Sequence, residues 1–309
     1  MKIVVFGNDK RVGVLDGERI VDLNKANASL PTRLDAFIAA GEQALDAAKR
    51  AIASSNKDAS VSANTVKLHA PWPGKRLAMA GGNFADHLAG MNANLHGIPV
   101  TGDSLKAAYD QARTRGHWGF WKVLDEVAGD GDEVPYPTKK TQYFDYEGEV
   151  AIVIGKRGKD IAAANIRDYV WGVTLSNDWS CRDNMDAPRI VQYNMVKNFD
   201  RACSIGPCIA VGEEAFDNID LQTHVNGLLR QSFNSKDMIF TFGEVLEYLS
   251  CEFTFVPGDV ICGGTAAGTA ADRTKRVTGQ PPAKDLFLKV GDSVEVSSPQ
   301  IGKLRNKIV

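Results

Sequence analysis

Short apolar runs separated by turn chemistry open the chain. Lys2–Phe6, Arg11–Leu15 and Arg19–Leu23 are such runs, with Gly7–Lys10 and Asp16-Gly17 between them, and the pattern predicts a β-meander. Leu34–Ala53 is Ala-rich with apolar residues at helical spacing and predicts one helix. Ser54–Asn64 is polar, and Pro71-Trp72-Pro73-Gly74 reads as a linker. The expected organisation is a small N-terminal domain over residues 1–71 (meander plus helix) and a larger one over residues 72–309.

In the second unit Leu77–Ala80 predicts a short buried strand running into Gly81-Gly82-Asn83, and Phe84–Met91 a helical turn. Asn92–Gly119 is polar, and Asp103 is placed to cap a helix over Ser104–Arg113. An insertion over about 84–119 fits either a mobile lid or a plain surface excursion. Beyond it, Glu149–Gly155 and Val170–Ser176 are strand runs, and Val225-Asn226-Gly227 is a hairpin turn. Thr241–Glu244 fits a capping box ahead of a helix over Val245–Ser250. Further strands are expected at Val260–Cys262 and Ser293–Val296. Strands dominate and no regular βαβ alternation appears, so the expected class is α+β, β-rich, rather than a doubly wound sheet.

The 309 residues are 44% hydrophobic and 24% charged, enough apolar material for a sizeable core. The formal net charge of −2 and the absence of a basic block give no support to a nucleic-acid or anionic-membrane partner. The five cysteines (Cys181, Cys203, Cys208, Cys251, Cys262) form no CxxC pair and show no ligand spacing to the five histidines, so buried free thiols are expected rather than a zinc cluster. The apolar run at Ile3–Phe6 is too short for a signal-peptide core, and no stretch reaches the roughly 18 residues of a membrane span. The expected location is the cytoplasm.

Chemistry concentrates in Tyr146-Glu147-Gly148-Glu149, ahead of the apolar run Val150–Ile154. Strand side chains alternate, so Glu147 and Glu149 share a face, about 7 Å apart. Two such carboxylates repel, and burying them is costly without a cation. Asp178 ends the next apolar run and completes a three-carboxylate set if the two strands are neighbours. All-oxygen ligands suit Mg²⁺ first, then Mn²⁺ or Ca²⁺. The spacing alone fits an exposed edge strand with solvated carboxylates equally well.

With these residues in hand, the chain resembles the fumarylacetoacetate hydrolase family from about Leu77 to Val309. The resemblance rests on ordered motifs: Gly82-Asn83-Phe84-Ala85-Asp86-His87, the segment Asp145–Gly155 around the two glutamates, Ser176-Asn177-Asp178-Trp179-Ser180-Cys181-Arg182-Asp183, and Lys197-Asn198-Phe199-Asp200. Gly206-Pro207, Met238-Ile239-Phe240, Pro257-Gly258-Asp259-Val260-Ile261, Gly264-Thr265 and Gly302-Lys303-Leu304-Arg305-Asn306 follow. The resemblance implies a mixed β-sandwich roll behind a small N-terminal α/β domain, a homodimer, and Mg²⁺ (or Mn²⁺) held by Glu147, Glu149 and Asp178. It further implies Lys197 near metal and substrate, Thr265 on the substrate carboxylate, and His87 on the lid as the group that activates water or moves a proton. Gly264, with Gly263 and Gly268, either lets backbone approach a substrate carboxylate or forms a plain loop. Arg182 and Asp183 form an ion pair behind the metal, or Arg182 contacts substrate. Lys122 points either toward the site or to the surface.

The sequence departs from the family pattern in three places, one of them the long insertion after Met91. Hydrolase-type members often carry a Glu three residues after the lid histidine, where this chain has Gly90, and His87 without that acid is a weaker base. The usual Thr-Gly-Thr-Pro run reads Gly263-Gly264-Thr265-Ala266. The expected function is a divalent-metal-dependent hydrolase or lyase of a small 2-oxo or 1,3-dioxo acid, working by C–C hydrolysis or decarboxylation through a metal-stabilised enolate. The alternatives are a dehydratase of a 2-oxo-3-deoxy sugar acid, favoured by Gly90 and the polar lid, and a non-catalytic ligand-binding relative.

Overall fold

The computed structural model of the protein describes residues 1–54, 57–74, 76–96, 99–183, 193–212, 216–275 and 283–309. The predicted meander forms as β1 (Lys2–Phe6), β2 (Arg11–Asp16) and β3 (Arg19–Asp22), paired antiparallel in sequence order. A short helix α1 (Leu23–Ala26) follows. The single helix expected over 34–53 is two, α2 (Leu34–Ala39) and α3 (Gly41–Ser54), because Gly41 takes φ +59° and breaks the helical run. Phe37, Ile38, Ala44 and Ala48 of these helices pack beside Ile3 and Val5. β4 (Ser60–Ser62) pairs with β3, and β5 (Leu68–His69) with β1.

β6 (Leu77–Ala80) and β7 (Gly119–Lys122) are antiparallel neighbours, and the chain between them forms α4 (Ala85–His96) and α5 (Gly102–Arg115). α4 is longer than the expected turn. Thr101, not Asp103, caps α5. Its Oγ1 accepts from the Ser104 N–H at 3.2 Å while Ser104 Oγ accepts from the Thr101 N–H at 2.7 Å. The serine three residues on completes a reciprocal box that starts at Thr101, and Asp103 falls in the first turn, where its charge suits the helix dipole.

The remaining strands are β8 (Glu133–Val134), β9 (Phe144–Asp145), β10 (Gly148–Ile154), β11 (Val170–Asp178) and β12 (Ser180–Cys181), then α6 (Tyr193–Val196) and β13 (Cys203–Ala210). β14 (Asp220–Val225) and β15 (Leu228–Asn234) form the predicted hairpin, with Asn226 and Gly227 at φ +51° and +78°. α7 (Phe242–Ser250) starts at the predicted Thr241–Glu244 capping box. β16 (Val260–Cys262), α8 (Ala270–Arg273), β17 (Ser293–Ser298) and β18 (Gly302–Ile308) complete the set.

The main sheet has the order β4-β3-β2-β1-β13-β11-β10-β16-β6-β7, with β5 on β1; the second has the order β15-β14-β17-β18-β8, and β9 pairs with β12. The N-terminal meander thus continues the main sheet: Lys2 pairs with Ala210, and the Met1 ammonium donates to Val211 O at 2.7 Å. The second sheet covers one face, with Leu221, Val296 and Leu304 against Val150, Ile152 and Leu175. On the other face Ala151, Val153 and Ile205 join the cluster of α2 and α3. Covered on both sides, β10 and β13 are buried at every residue, which is why they read as continuous apolar runs. The architecture is a strand-rich α+β sandwich. Four of the five free thiols are buried as expected, whereas Cys251 is exposed. Among the described residues no helix is long and apolar enough to cross a membrane.

Candidate functional site

β10 and β11 run antiparallel with Gly148 opposite Asn177 and Glu149 opposite Ser176. Just before β10, Glu147 is tied to β11 twice. Its N–H donates to Asn177 Oδ1 at 3.0 Å, and its carbonyl accepts from the Asp178 N–H at 2.8 Å. Gly148 separates the two glutamates because a Cβ there would collide with Thr223 of the covering sheet. The outcome is one carboxylate oxygen from each of Glu147, Glu149 and Asp178, all buried and all within 4.8 Å of one another.

Three cations surround these acids. Lys197 Nζ donates to Glu147 Oε2 at 2.6 Å, Asp178 Oδ2 at 2.8 Å and Ser180 Oγ at 2.6 Å. Arg182 donates from Nε to Asp145 Oδ2 at 3.1 Å and from Nη2 to Glu147 Oε1. Lys122 Nζ lies 2.8 Å from Asp178 Oδ1 but points its hydrogen bonds at Lys197 O and Ala202 O, both 2.6 Å away. Burial pushes Glu147 up, but Arg182 and Lys197 outweigh it and hold this carboxyl well below the usual range. Glu149 goes the other way: burial, then Asp178 and Glu147, raise it well above the ordinary value. Burial works against the charge of Lys197, and Asp178 and Glu147 more than offset it, so its pKa is raised.

Four carboxylates (Asp145, Glu147, Glu149, Asp178) therefore face three cations. Among the described residues no Lys or Arg comes within ion-pair distance of Glu149. An excess of acids over bases, a Glu149 carboxylate with no cation beside it and an all-oxygen donor set fit a hard divalent cation, with Glu147, Glu149 and Asp178 as its ligands.

His87, on α4, is buried, and its Nδ1 lies 2.9 Å from Asp272 Oδ2 on α8. Asp272 is fixed by the Gly268 N–H, 3.0 Å from each carboxylate oxygen, and its own N–H donates to Thr269 Oγ1 at 3.2 Å. Asn94 Nδ2 donates to Ala271 O at 2.9 Å, a second tie between α4 and α8. The acid absent at position 90 is thus supplied from 185 residues away in the chain. Gly90 makes the room, since a Cβ there would lie 2.9 Å from Asp272 Cβ.

The other expected residues fall in distinct places. The Gly264 N–H donates to Glu149 Oε2 at 3.2 Å, and Gly264 takes φ +88°, so glycine suits this position and its amide holds the Glu149 carboxylate. The Thr265 hydroxyl is already engaged, donating to Gly148 O at 2.8 Å and accepting from Gln231 Nε2 at 2.7 Å. Arg182 does not pair with Asp183, whose carboxylate accepts from the Thr141 hydroxyl and the Gln142 N–H. The side chain of Lys122 is fully buried behind Asp178 rather than surface-directed. Asp272, Asp145, Ser180 and Gln231 were not singled out from sequence as site residues. Only Gly90, a missing acid, hinted at the first.

Residues 76–309 match the family model described as fumarylacetoacetate (FAA) hydrolase C-terminal. The chain is 31% identical over 296 residues to the human mitochondrial oxaloacetate tautomerase FAHD2B, covering 95% of this chain and 85% of that protein. It is 32% identical over 314 residues to the oxaloacetate tautomerase YisK of Bacillus subtilis (strain 168), covering 96% and 94%. Among solved structures, the fumarylacetoacetate hydrolase of psychrophilic Exiguobacterium antarcticum matches with a TM-score of 0.77 and 28% identity, over 100% of this chain and 99% of that one. The family model spans most of the chain and two relatives more than 30% identical match nearly all of it, and this chain belongs to the fumarylacetoacetate hydrolase family of enzymes.

Proposed function

We propose that the protein is a divalent-metal-dependent enzyme that moves a proton at the carbon next to the keto group of a small 2-oxo acid, a keto–enol tautomerase of the oxaloacetate type. The observation that carries this reading is the buried His87–Asp272 pair beside the three-carboxylate cluster. Two relatives more than 30% identical bear the name oxaloacetate tautomerase.

Asp272 accepts the Nδ1–H of His87, which sets the tautomer and leaves Nε2 as the atom that takes a proton from the substrate carbon and returns it. The same carboxylate stabilises the imidazolium while the proton is held. Mg²⁺ or Mn²⁺, held by Glu147, Glu149 and Asp178, supplies Lewis-acid polarisation of the 2-oxo group when bound. Lys197 helps hold the Glu147 carboxyl below its usual range, bonds Asp178 Oδ2, and contributes positive charge against an anionic substrate. The ligand carboxylates and His87 are all under a tenth exposed, so bulk water is largely excluded.

The test follows enol decay by ultraviolet absorbance and C3 hydrogen exchange by NMR, with oxaloacetate and other 2-oxo acids, in Mg²⁺, Mn²⁺ or EDTA. Metal-dependent acceleration abolished by EDTA is expected. Its absence across the panel sinks the reading. C–C cleavage is the second reading, favoured by the 28% identity to a fumarylacetoacetate hydrolase. Release of pyruvate or CO₂ without enol interconversion would establish it, and water loss from 3-deoxy acids would point to a dehydratase.

A further inference from the structure

We infer that Lys122 is a positioning residue that stands in for part of the metal's charge. It keeps the carboxylate cluster assembled before the metal arrives and weakens metal binding in return. The inference rests on the metal reading above.

The Lys122 side chain has 0% exposure and lies behind Asp178. A buried ammonium is costly unless its surroundings compensate it. Its hydrogen bonds go to two backbone carbonyls, Lys197 O and Ala202 O, which clamp the segment carrying Lys197 beneath the site. A neutral donor would serve as well for that purpose. What needs the charge is Asp178, whose Oδ1 lies 2.8 Å from Nζ. Lys122 therefore offsets the charge of Asp178, and with two of its three N–H groups on carbonyls at most one is directed at that oxygen. Lys197 holds the other oxygen of the same carboxylate. Together the two lysines set an ammonium against each oxygen of Asp178, which offsets the repulsion among Asp178, Glu147 and Glu149. A divalent ion entering the cluster meets the same ammonium, whose repulsion opposes it.

This assigns opposite signs to two measurements on the full-length protein. Lys122→Gln removes the charge and keeps an N–H donor for the carbonyls; Lys122→Met removes both. Metal-free melting temperature and Mn²⁺ affinity by titration calorimetry are compared with wild type. The expected result for Lys122→Gln is a lower metal-free melting temperature with Mn²⁺ bound about tenfold more tightly. A residue that merely props up the fold would weaken both, and unchanged or weaker Mn²⁺ binding overturns the inference. If both variants are unfolded without metal, saturating Mn²⁺ should restore cooperative melting, and failure to do so also overturns it. Wild-type protein that takes up neither Mn²⁺ nor Mg²⁺ removes the metal reading itself, and this inference with it.

Discussion

His87 and Asp272 meet with Nδ1 and Oδ2 2.9 Å apart, although 185 residues separate them in the chain. The pair joins α4 to α8, and Asn94 Nδ2 on Ala271 O is a second tie between them. The orientation of the His87 ring therefore depends on how these two helices pack.

Replacing Asp272 with Asn keeps the shape but removes the charge that orients and stabilises the His87 imidazolium. The turnover number is expected to fall about 100-fold with little change in KM, measured by steady-state enol decay. A fall in KM-linked binding alone would show instead that Asp272 acts on substrate affinity.

Gly90→Ala tests the room made for that acid. The added methyl would lie 2.9 Å from Asp272 Cβ and push the carboxylate off His87. Activity should drop at least tenfold, and in a double-mutant cycle with Asp272→Ala the second change should cost almost nothing further. Additive losses would separate Gly90 from the pair.

Glu149→Gln should have opposite effects with and without metal. Burial, together with Asp178 and Glu147, raises the folded pKa of Glu149 well above the ordinary value. A carboxyl whose pKa is raised on folding destabilises the fold above its unfolded pKa, and fully so once pH exceeds the folded value. At neutral pH the metal-free variant is therefore expected to melt higher than wild type. With saturating Mg²⁺ or Mn²⁺ the order should reverse, since a ligand carboxylate has been lost. Calorimetric melting in both states checks the crossing.

His117 gives a pH signature away from the cluster. Burial pushes its pKa down to about 4 from 6.5, with Glu244 opposing and Arg115 assisting. The ring stacks on Tyr248 at 4.9 Å and leans on Phe240 at 5.5 Å. Because the folded pKa is depressed, the neutral ring's stability is complete above 6.5 and is lost as pH falls toward 4. Allowing for partial exposure, the loss is about 1–2 kcal/mol. His117→Phe keeps the stacking and should remove that share of acid sensitivity, read from denaturant unfolding at pH 7 and 4.5.

Local features were legible in the sequence because they depend on neighbours along the chain. Apolar runs and turn residues marked the strands, Thr241 and Glu244 marked a helix start, and the Glu147-Gly148-Glu149 spacing marked a pair of acids on one face. Even locally, competition mattered. Gly41 broke a helix that composition favoured, and Thr101 outcompeted Asp103 for a cap through its reciprocal bond with Ser104.

Convergence was different. Strand periodicity puts Glu147 and Glu149 together, but only the β10–β11 register and the Asp178 N–H bond bring Asp178 to them. Nothing near Gly90 names Asp272, and nothing in Gly119–Lys122 says that its lysine is buried beside the Asp178 carboxylate. The sequence by itself determined which segments become strands and helices and which acids share a face. The tertiary structure decided which distant groups share one small, water-poor volume. There a charge takes its meaning from what is packed against it, and that packing involves sheet order and helix docking spanning nearly 200 residues.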